Sequence, residues 1–409
     1  MGYVVGLRLA ALAALAAVFA APAAAGSSDA PNWAAPEIRA VVSRGLMGED
    51  VQGFQPNAVL TRQALATLAY NLELKLTPPA PPPAPAPAPV VTTPVVTTTA
   101  PTETTPTTTA PTTTEPTTTT VATTTAPAPT VPAPTPPPPQ VANPDGVVTM
   151  AGLDTRLVSL LGLSKAAAEF QQKAKAAGLV VPPRFGTEVV ARLLGLRIDH
   201  PAAQDFLELL PGDPATRAEA AYSAAQIAGF GWLGNGRQIA AVQSAADSFA
   251  LPPLNDWQKR ILNTAVQRIG MPYVWGGTSD GPEVDFGVSA RGGYDCSGFV
   301  WRVYKLTSYP GEGDLASVLR GRTTYQMSVE VPRSDFVHFD QLQPADVLFF
   351  GAHGRMSTGS EIDHTAIYLG NGWFIQSSDQ GVALATLTGW YRQEFAWGRR
   401  PLREAGLVG

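Results

Sequence analysis

Cys296 is the only cysteine among the 409 residues, and it lies in the segment YDCSGFV at 294–300. A histidine, His364, follows in the segment DHTAIYLG at 363–370. A thiol and a distant histidine are the residue types of a nucleophile and its general base. We therefore expect chemistry that proceeds through a thioester, with Cys296 as the nucleophile and His364 as the base.

The residues after Cys296 predict its local structure. Phe299, Val300 and Val303 recur at helical spacing, so Cys296 should lie in the first turn of a helix. Unpaired amide groups at a helix N-terminus stabilise a thiolate. We therefore expect this helix start to favour the ionised, reactive form of the side chain.

The chain around His364 predicts an antiparallel hairpin. The pattern indicates three strands and one tight turn, at 346–350, 364–369, 373–376 and 370–372. Pairing of the last two strands would bring Gln376 beside His364. An amide in that place fixes the tautomer of an imidazole, as the third member of a catalytic triad does.

The same residue types also have less reactive interpretations. A lone cysteine beside apolar neighbours is typical of a buried small hydrophobe. His353 is a rival base, but it lies in a glycine-rich loop, whereas His364 opens a strand that would hold it in place. His200 and His338 lack a partner motif and are interpreted as ordinary surface or core residues. One cysteine and four scattered histidines show no ligand spacing, so we expect no metal and no cofactor.

The N-terminus and one biased segment divide the chain. Residues 1–25 combine one arginine, an apolar run and a closing Ala-Ala-Ala, which predicts a cleaved secretory signal peptide rather than an uncleaved anchor. Residues 78–145 are dominated by Pro, Thr, Ala and Val and predict a disordered, semi-stiff linker. The mature chain is expected to be exported. Its formal net charge of −5 gives no indication of nucleic-acid binding.

Residues 26–77 predict a small all-α module of helix, loop and helix. Its segments WAAPEI, RGLM, FQPN and TRQA, at 33–38, 44–47, 54–57 and 61–64, resemble the S-layer homology (SLH) module. Residues 146–250 resemble further, more degenerate copies. One copy would hold a helix at 166–178 and another from Thr187, and the segment LPGDPATRAEA at 210–220 keeps the Thr-Arg signature.

The SLH resemblance implies that these modules bind polysaccharide attached to the cell wall. It marks Arg62 and Arg217, which follow the signature threonines Thr61 and Thr216, as glycan contacts. The structural alternative is a capped helix start with a solvated basic neighbour.

Residues 251–409 carry an ordered set of motifs, PYVWGG, DCSGFV, DVLFF and HTAIYLGNG, at 272–277, 295–300, 346–350 and 364–372. The set resembles the NlpC-type cell-wall peptidases, which are papain-like cysteine peptidases. The resemblance implies an α+β domain in which N-terminal helices pack on an antiparallel sheet. We expect this segment to carry its own core.

The same resemblance assigns roles to residues. Cys296 is the nucleophile, His364 is the base, and Gln376 stands where the family commonly has a third polar residue, usually histidine. Tyr273 matches a tyrosine near the nucleophile, and Tyr273, Ser297 and Asp295 are interpreted as oxyanion or substrate residues.

The resemblance implies a cell-wall-associated peptidoglycan hydrolase. The signal-peptide pattern predicts its export, and no other apolar stretch is long enough to predict a membrane span after signal cleavage. The hydrolase would cut stem-peptide amide bonds, commonly between D-glutamate and diaminopimelate, and would be held at the envelope by the SLH-like modules. Two alternatives stay open: a non-catalytic wall-binding scaffold, or an amidase or acyltransferase with the same chemistry. The stretches 278–293 and 351–363 are longer than is usual and are expected to border the cleft.

Overall fold

The computed structural model describes residues 33–76, 136–229 and 236–407. The predicted signal peptide and most of the predicted linker lie outside these residues. Within them, residues 33–76 and 139–407 belong to one compact unit. Its helices are α1 (Ala35–Ser43), α2 (Arg62–Leu76), α3 (Met150–Leu160), α4 (Ser164–Ala176), α5 (Phe185–Leu193), α6 (Arg217–Ile227), α7 (Arg237–Ser248), α8 (Asp256–Val266), α9 (Cys296–Tyr304), α10 (Leu315–Val318), α11 (Thr324–Ser328), α12 (Gly389–Glu394) and α13 (Pro401–Glu404).

Three short extended segments of the helical part meet in a closed ring of backbone hydrogen bonds. The amide of Leu60 donates to the carbonyl of Ala215 (2.8 Å), that of Ala215 donates to Val148 (2.8 Å), and that of Val148 donates back to Leu60 (3.0 Å). Each segment leads into a helix: the segment of Leu60 into α2, that of Val148 into α3 and that of Ala215 into α6. The ring therefore joins the segment before the linker to the two segments after it.

A threonine caps each of the three helices that leave the ring. The hydroxyls of Thr61, Thr149 and Thr216 each accept a hydrogen bond of 3.2 Å from the amide three residues further on. Such caps satisfy amides that a helix start leaves without partners. The caps at Thr61 and Thr216 agree with the predicted signature positions, but the one at Thr149 was not predicted.

The ring does not include the chain predicted as the second SLH copy, which stays a prediction. The ring segment between those of Leu60 and Ala215 is 147–149, which leads into α3, and not the chain around 166–187. The two helices predicted there do exist as α4 and α5, although α5 begins at Phe185. The prediction missed the ring segment because Met150 replaces the arginine of the Thr-Arg signature.

The long stretch 278–293 forms small strands beside the start of α9. Its strands are β1 (Thr278–Ser279), β2 (Glu283–Asp285), β3 (Val288–Ala290) and β4 (Gly293–Tyr294). Strands β2 and β3 form a hairpin, and β1 pairs with β4. Phe286 lies at the hairpin tip with a φ of 49° and is 83% exposed.

The C-terminal part contains a five-stranded antiparallel sheet in the order β8-β7-β6-β5-β9. Helix α9 packs against β6 and β7. The α+β class with helices on an antiparallel sheet is thereby confirmed. The strands are β5 (Val347–Gly351), β6 (Ile362–Gly370), β7 (Trp373–Ser378), β8 (Gly381–Thr386) and β9 (Phe395–Arg399).

The predicted hairpin of β6 and β7 is also confirmed. Ile367 pairs with Ile375 and Tyr368 with Phe374. The turn between the strands holds Asn371 at a φ of 50°, a left-handed conformation that asparagine tolerates better than most residues. The turn fixes the pairing of the two strands, and with it the proximity of His364 and Gln376.

The helical part and the sheet share one apolar core. Trp373 of β7 packs edge-on against Phe170 of α4 and Phe249, with ring centroids 5.8 and 5.0 Å apart. The buried guanidinium of Arg192 donates to the carbonyls of Gly270 and Gln380, at 2.6 Å each. Residues 251–409 thus have one apolar cluster of their own, around Phe350 and Phe374, but share the larger core with the helical modules.

Within the described ranges, the helices are too short or too polar to cross a lipid bilayer.

Candidate active site

Cys296 is the first residue of α9, as predicted. Asp295 caps the helix, since its carboxylate accepts a hydrogen bond from the amide of Gly298. The sulfur lies 3.9 Å from the carbonyl oxygen of Asp363, and the amide of Thr365 is also directed at it. Asp363 and Thr365 are the two neighbours of His364 in β6, so the helix start holds the thiol against the strand that carries the histidine.

The helix start does not favour the thiolate in the resting protein. Burial raises the pKa of Cys296 to about 12, and the nearby carboxylate of Asp295 adds to this increase. The amides of Thr365 and Ser297 and the charge of Arg322 lower the pKa by less. Our expectation of an ionised thiol is therefore wrong, because removal of the thiol from water outweighs the helix terminus.

His364 is neutral for the same physical reason. Burial lowers the pKa of its imidazole, and the hydrogen bond to Gln376 compensates only in part. A neutral ring at pH 7 can accept a proton, as a general base must. The Cys296 thiol and the His364 imidazole are therefore both uncharged in the resting protein at pH 7.

Gln376 joins His364 through a short hydrogen bond. His364 Nε2 lies 2.7 Å from Gln376 Oε1, across the two paired strands β6 and β7. The amide nitrogen of Gln376 donates to the hydroxyl of Tyr391 at 2.6 Å and lies 3.4 Å from Ser378 Oγ. The strand pattern predicted the His364–Gln376 contact, whereas Tyr391 of α12 has no surrounding motif that would have predicted its place here.

Tyr273, Ser297 and Asp295 were predicted to contact the oxyanion or the substrate, and the structure gives them different surroundings. Tyr273 lies close enough to Cys296 and Asp295 for their charges to act on it, and burial raises the pKa of its hydroxyl far above the ordinary value. The hydroxyl of Ser297 is bound to Asp295 Oδ1 at 3.0 Å, and both side chains are engaged in the helix cap. Of the three residues, only Tyr273 remains a candidate for contacting the oxyanion or the substrate.

Arg322 completes the cap, and no sequence motif predicted its place there. Its guanidinium contacts both oxygens of Asp295, at 3.1 and 3.2 Å, and donates to Ser297 Oγ at 2.7 Å. It also donates to the carbonyl of Gly276 at 2.7 Å. Arg322 thus connects the glycine pair of the PYVWGG segment to the start of α9.

Other parts of the chain border this region. The ring of Phe286 lies over Gly276, where an added Cβ would come within 2.6 Å of it. The amide of Trp275 donates to Asp205 Oδ2 at 2.9 Å, and Asp205 belongs to the short 3-10 helix Ala202–Leu207 of the helical part. The stretch 278–293 and the helical modules therefore both lie beside the site.

The rival base His353 does not share these contacts. Its side chain is 64% exposed and pairs with Glu361 at 3.0 Å. This places it in the loop of residues 351–363, outside the hydrogen bonds that connect α9, β6 and β7. His364, by contrast, is held within strand β6, as predicted.

The two predicted glycan contacts differ from each other. Arg62 is exposed at the start of α2. The guanidinium of Arg217 donates to the carbonyl of Phe54 at 2.8 Å and lies over the Phe54 ring, 4.7 Å from its centroid. Arg217 therefore holds the third ring segment against the first module, so the helix cap of the structural alternative is present but the basic neighbour is not solvated as that alternative expected.

A cysteine at a helix start against an antiparallel sheet, with a histidine on the neighbouring strand, is the arrangement that the predicted papain-like thiol site requires. Residues 270–400 match the model of the NlpC/P60 family, and residues 26–66 match the model of the S-layer homology domain. The chain therefore carries an NlpC/P60 domain in its C-terminal part and an SLH domain near its N-terminus.

Three relatives are similar to the C-terminal part. Murein DD-endopeptidase MepH of Escherichia coli (strain K12) is 33% identical over 144 residues, which are 35% of this chain and 45% of that protein. Peptidoglycan endopeptidase RipA of Mycobacterium tuberculosis (strain ATCC 25618 / H37Rv) is 32% identical over 30% of this chain and 22% of its own length. Gamma-D-glutamyl-L-lysine dipeptidyl-peptidase of Bacillus subtilis (strain 168) is 28% identical over 31% and 34%. The chain spans less than half the length of each.

Proposed function

We propose that this protein is a peptidoglycan hydrolase that cuts stem-peptide amide bonds by a Cys-His-Gln mechanism. The observation that carries the proposal is the placement of Cys296 Sγ between the backbones of Asp363 and Thr365, on either side of His364. The hydrogen bond of 2.7 Å from His364 to Gln376 supports it. The substrate class follows from the similarity to murein and peptidoglycan endopeptidases.

The reaction follows from the protonation states of the resting site. The Cys296 thiol transfers its proton to His364 as the sulfur attacks the amide carbonyl and forms a C–S bond. The Tyr273 hydroxyl, protonated because burial raises its pKa, donates to the oxyanion. His364 then gives its proton to the leaving nitrogen as the C–N bond breaks. Water, activated by His364, hydrolyses the thioester and restores the thiol.

The bond proposed is the one between D-glutamate and diaminopimelate, as the family resemblance implies. Muropeptides digested with the full chain should be separated and weighed by mass spectrometry, with Cys296→Ala as the inactive control. Products ending in D-glutamate would support this bond. Products cut between two D-centres would instead place the activity with a DD-endopeptidase, and the absence of any product would favour the non-catalytic scaffold.

We also propose that the SLH domain places the protein at the cell wall, and that the chain reaches the wall by export through its N-terminal signal. Exposed Arg62 is the residue that supports a glycan contact, since Arg217 is engaged with Phe54. Co-sedimentation of the full chain with isolated walls tests this. A protein that stays in the supernatant under conditions where it digests soluble muropeptides would exclude the wall-binding role.

A further inference from the structure

We propose that Tyr391 is a positioning residue that holds the Gln376 amide in one orientation and thereby sets the tautomer of His364. The inference rests on the proposed function in one respect, the role of His364 as the base. It adds a fourth residue to the site, outside the three that the motifs identify.

The two ends of the Gln376 amide are chemically different. Its oxygen accepts hydrogen bonds and its nitrogen donates them. Because Oε1 faces His364 Nε2 at 2.7 Å, that ring nitrogen must carry the hydrogen. The other ring nitrogen, Nδ1, then keeps the lone pair that a general base needs.

Rotation of the amide by half a turn would reverse this assignment. The amide nitrogen would then donate to His364 Nε2, and the ring hydrogen would move to Nδ1. A protonated Nδ1 cannot accept the thiol proton of Cys296. The orientation of one buried amide therefore decides whether the histidine is a base toward the thiol.

Two hydroxyls stand at the nitrogen end of the amide. Tyr391 Oη lies 2.6 Å from Gln376 Nε2, and Ser378 Oγ lies 3.4 Å from it. Each hydroxyl can accept one of the two hydrogens of the amide nitrogen. In a reversed amide, that nitrogen would face only one acceptor, Nε2 of His364. Gln376 is 3% exposed, so loss of either partner is poorly replaced by bulk water.

Tyr391 is the closer partner and is itself held in place. Its ring packs against Phe374 and Phe350 with centroids 4.9 and 5.6 Å apart. Burial raises the pKa of its hydroxyl to about 12, so the group stays uncharged at neutral pH. A rigid, neutral hydroxyl of this kind accepts from the amide without adding charge beside the imidazole.

The test measures the tautomer directly. The chain has only four histidines, so ¹⁵N-histidine labelling gives a short set of ring signals, and His364→Ala identifies the signals of His364. The full chain with Cys296→Ala should show His364 protonated at Nε2. Adding Tyr391→Phe, which keeps the packed ring, should produce a mixture with the Nδ1-protonated form. Unchanged His364 signals in the Tyr391→Phe protein would overturn the proposal.

Tyr368→Phe is the matched control. Tyr368 belongs to the same apolar cluster and uses its hydroxyl to accept from the amide of Gly372 at 2.8 Å, away from Gln376. Its removal should leave the His364 signals unchanged. An equal change in both variants would show a general loosening of the cluster and would also overturn the proposal.

A rescue variant separates orientation from packing. The carboxylate introduced by Gln376→Glu would present two equivalent oxygens, so either orientation accepts from His364 Nε2. Tyr391→Phe should lower kcat about tenfold with KM unchanged when Gln376 is present, but have little effect in the Gln376→Glu protein. Equal losses in both backgrounds would contradict the proposal. The tautomer signals need no substrate, so a failure of the peptidoglycan assignment would not be mistaken for a failure of this one.

Discussion

Arg322 and Asp295 form a bidentate ion pair at the start of the helix that carries the thiol, with Nη1 3.1 Å from Oδ1 and Nη2 3.2 Å from Oδ2. The pair has opposite effects on the neighbouring sulfur. The carboxylate raises the pKa of Cys296 and the guanidinium lowers it. Arg322 therefore both holds the helix cap and limits the cost of forming the thiolate during attack.

Arg322→Ala should reduce turnover and slow alkylation of Cys296, because the unpaired Asp295 carboxylate would oppose ionisation of the thiol. A loss of about tenfold corresponds to about 1.4 kcal/mol. Arg322→Lys should recover only part of it, since an ammonium cannot contact both carboxylate oxygens in the same way. Exposed Arg355 gives the control variant, Arg355→Ala. Equal alkylation rates in Arg322→Ala and wild type would show that the pair only stabilises the fold.

Cys296→Ser should lose nearly all hydrolysis of peptidoglycan, by about a thousandfold or more. A hydroxyl is far less acidic than a thiol, and the buried site already disfavours an anion at this position. Release of soluble muropeptides from purified walls measures the loss. Digestion at the wild-type rate would contradict the mechanism.

Gln376→Ala should lower turnover less than His364→Ala, because the amide orients the imidazole and does not carry the proton. We expect about tenfold for the amide and about a hundredfold or more for the base. Gln376→His should retain or raise activity, since a ring nitrogen can also accept from His364 Nε2. Undiminished kcat in Gln376→Ala would remove this residue from the site.

The Cys296 thiol should resist alkylation by iodoacetamide at pH 7 and react faster as the pH rises beyond 9. The reason is that burial raises its pKa to about 12, whereas the thiol in the urea-unfolded chain ionises near its ordinary value of about 8.5. The folded state thus binds more protons than the unfolded state above that value. Stability contributed by the neutral thiol is complete below about pH 8.5 and is lost as the pH rises toward 12.

Chemical denaturation at several pH values checks the second part of this prediction. In the Cys296→Ala protein, the free energy of unfolding should decrease less than in wild type as the pH rises above about 8.5. An alkylation rate that reaches its plateau between pH 6 and 8 would instead indicate an ionised thiol paired with a charged imidazole.

Arg217→Ala should lower thermal stability more than it weakens retention on walls. The substitution removes a charge-assisted hydrogen bond to Phe54 and the contact with its ring, which together contribute about 1.5–3 kcal/mol. Arg62→Ala, at the exposed signature position, is the paired variant and should show the reverse. Calorimetry and co-sedimentation on the same samples distinguish the two. Unchanged unfolding with weakened retention in Arg217→Ala would return this residue to glycan binding.

The sequence predicted those parts of the site that depend on a local pattern of residues. The helix at Cys296, the strands of His364 and Gln376, and the turn at 370–372 all depend on short-range periodicity and turn residues. Tyr391 and Arg322 reach the site through tertiary packing and have no local signal. The pKa of Cys296 depends on burial, which a single segment of sequence does not reveal. For the same reason the shared core of the modules and the sheet was not foreseen.

The closed ring changes what the proline- and threonine-rich segment can do. The chain leaves the ring through α2, which ends at Leu76, and Gln63 of that helix then binds the returning backbone at Pro139 and Val141, at 3.0 and 3.2 Å. Both ends of the intervening segment are thus anchored in the same folded unit. A protease that cut this segment once would leave two fragments that stay non-covalently associated, so shedding of the enzyme would require unfolding of the ring and not merely a nick in the chain.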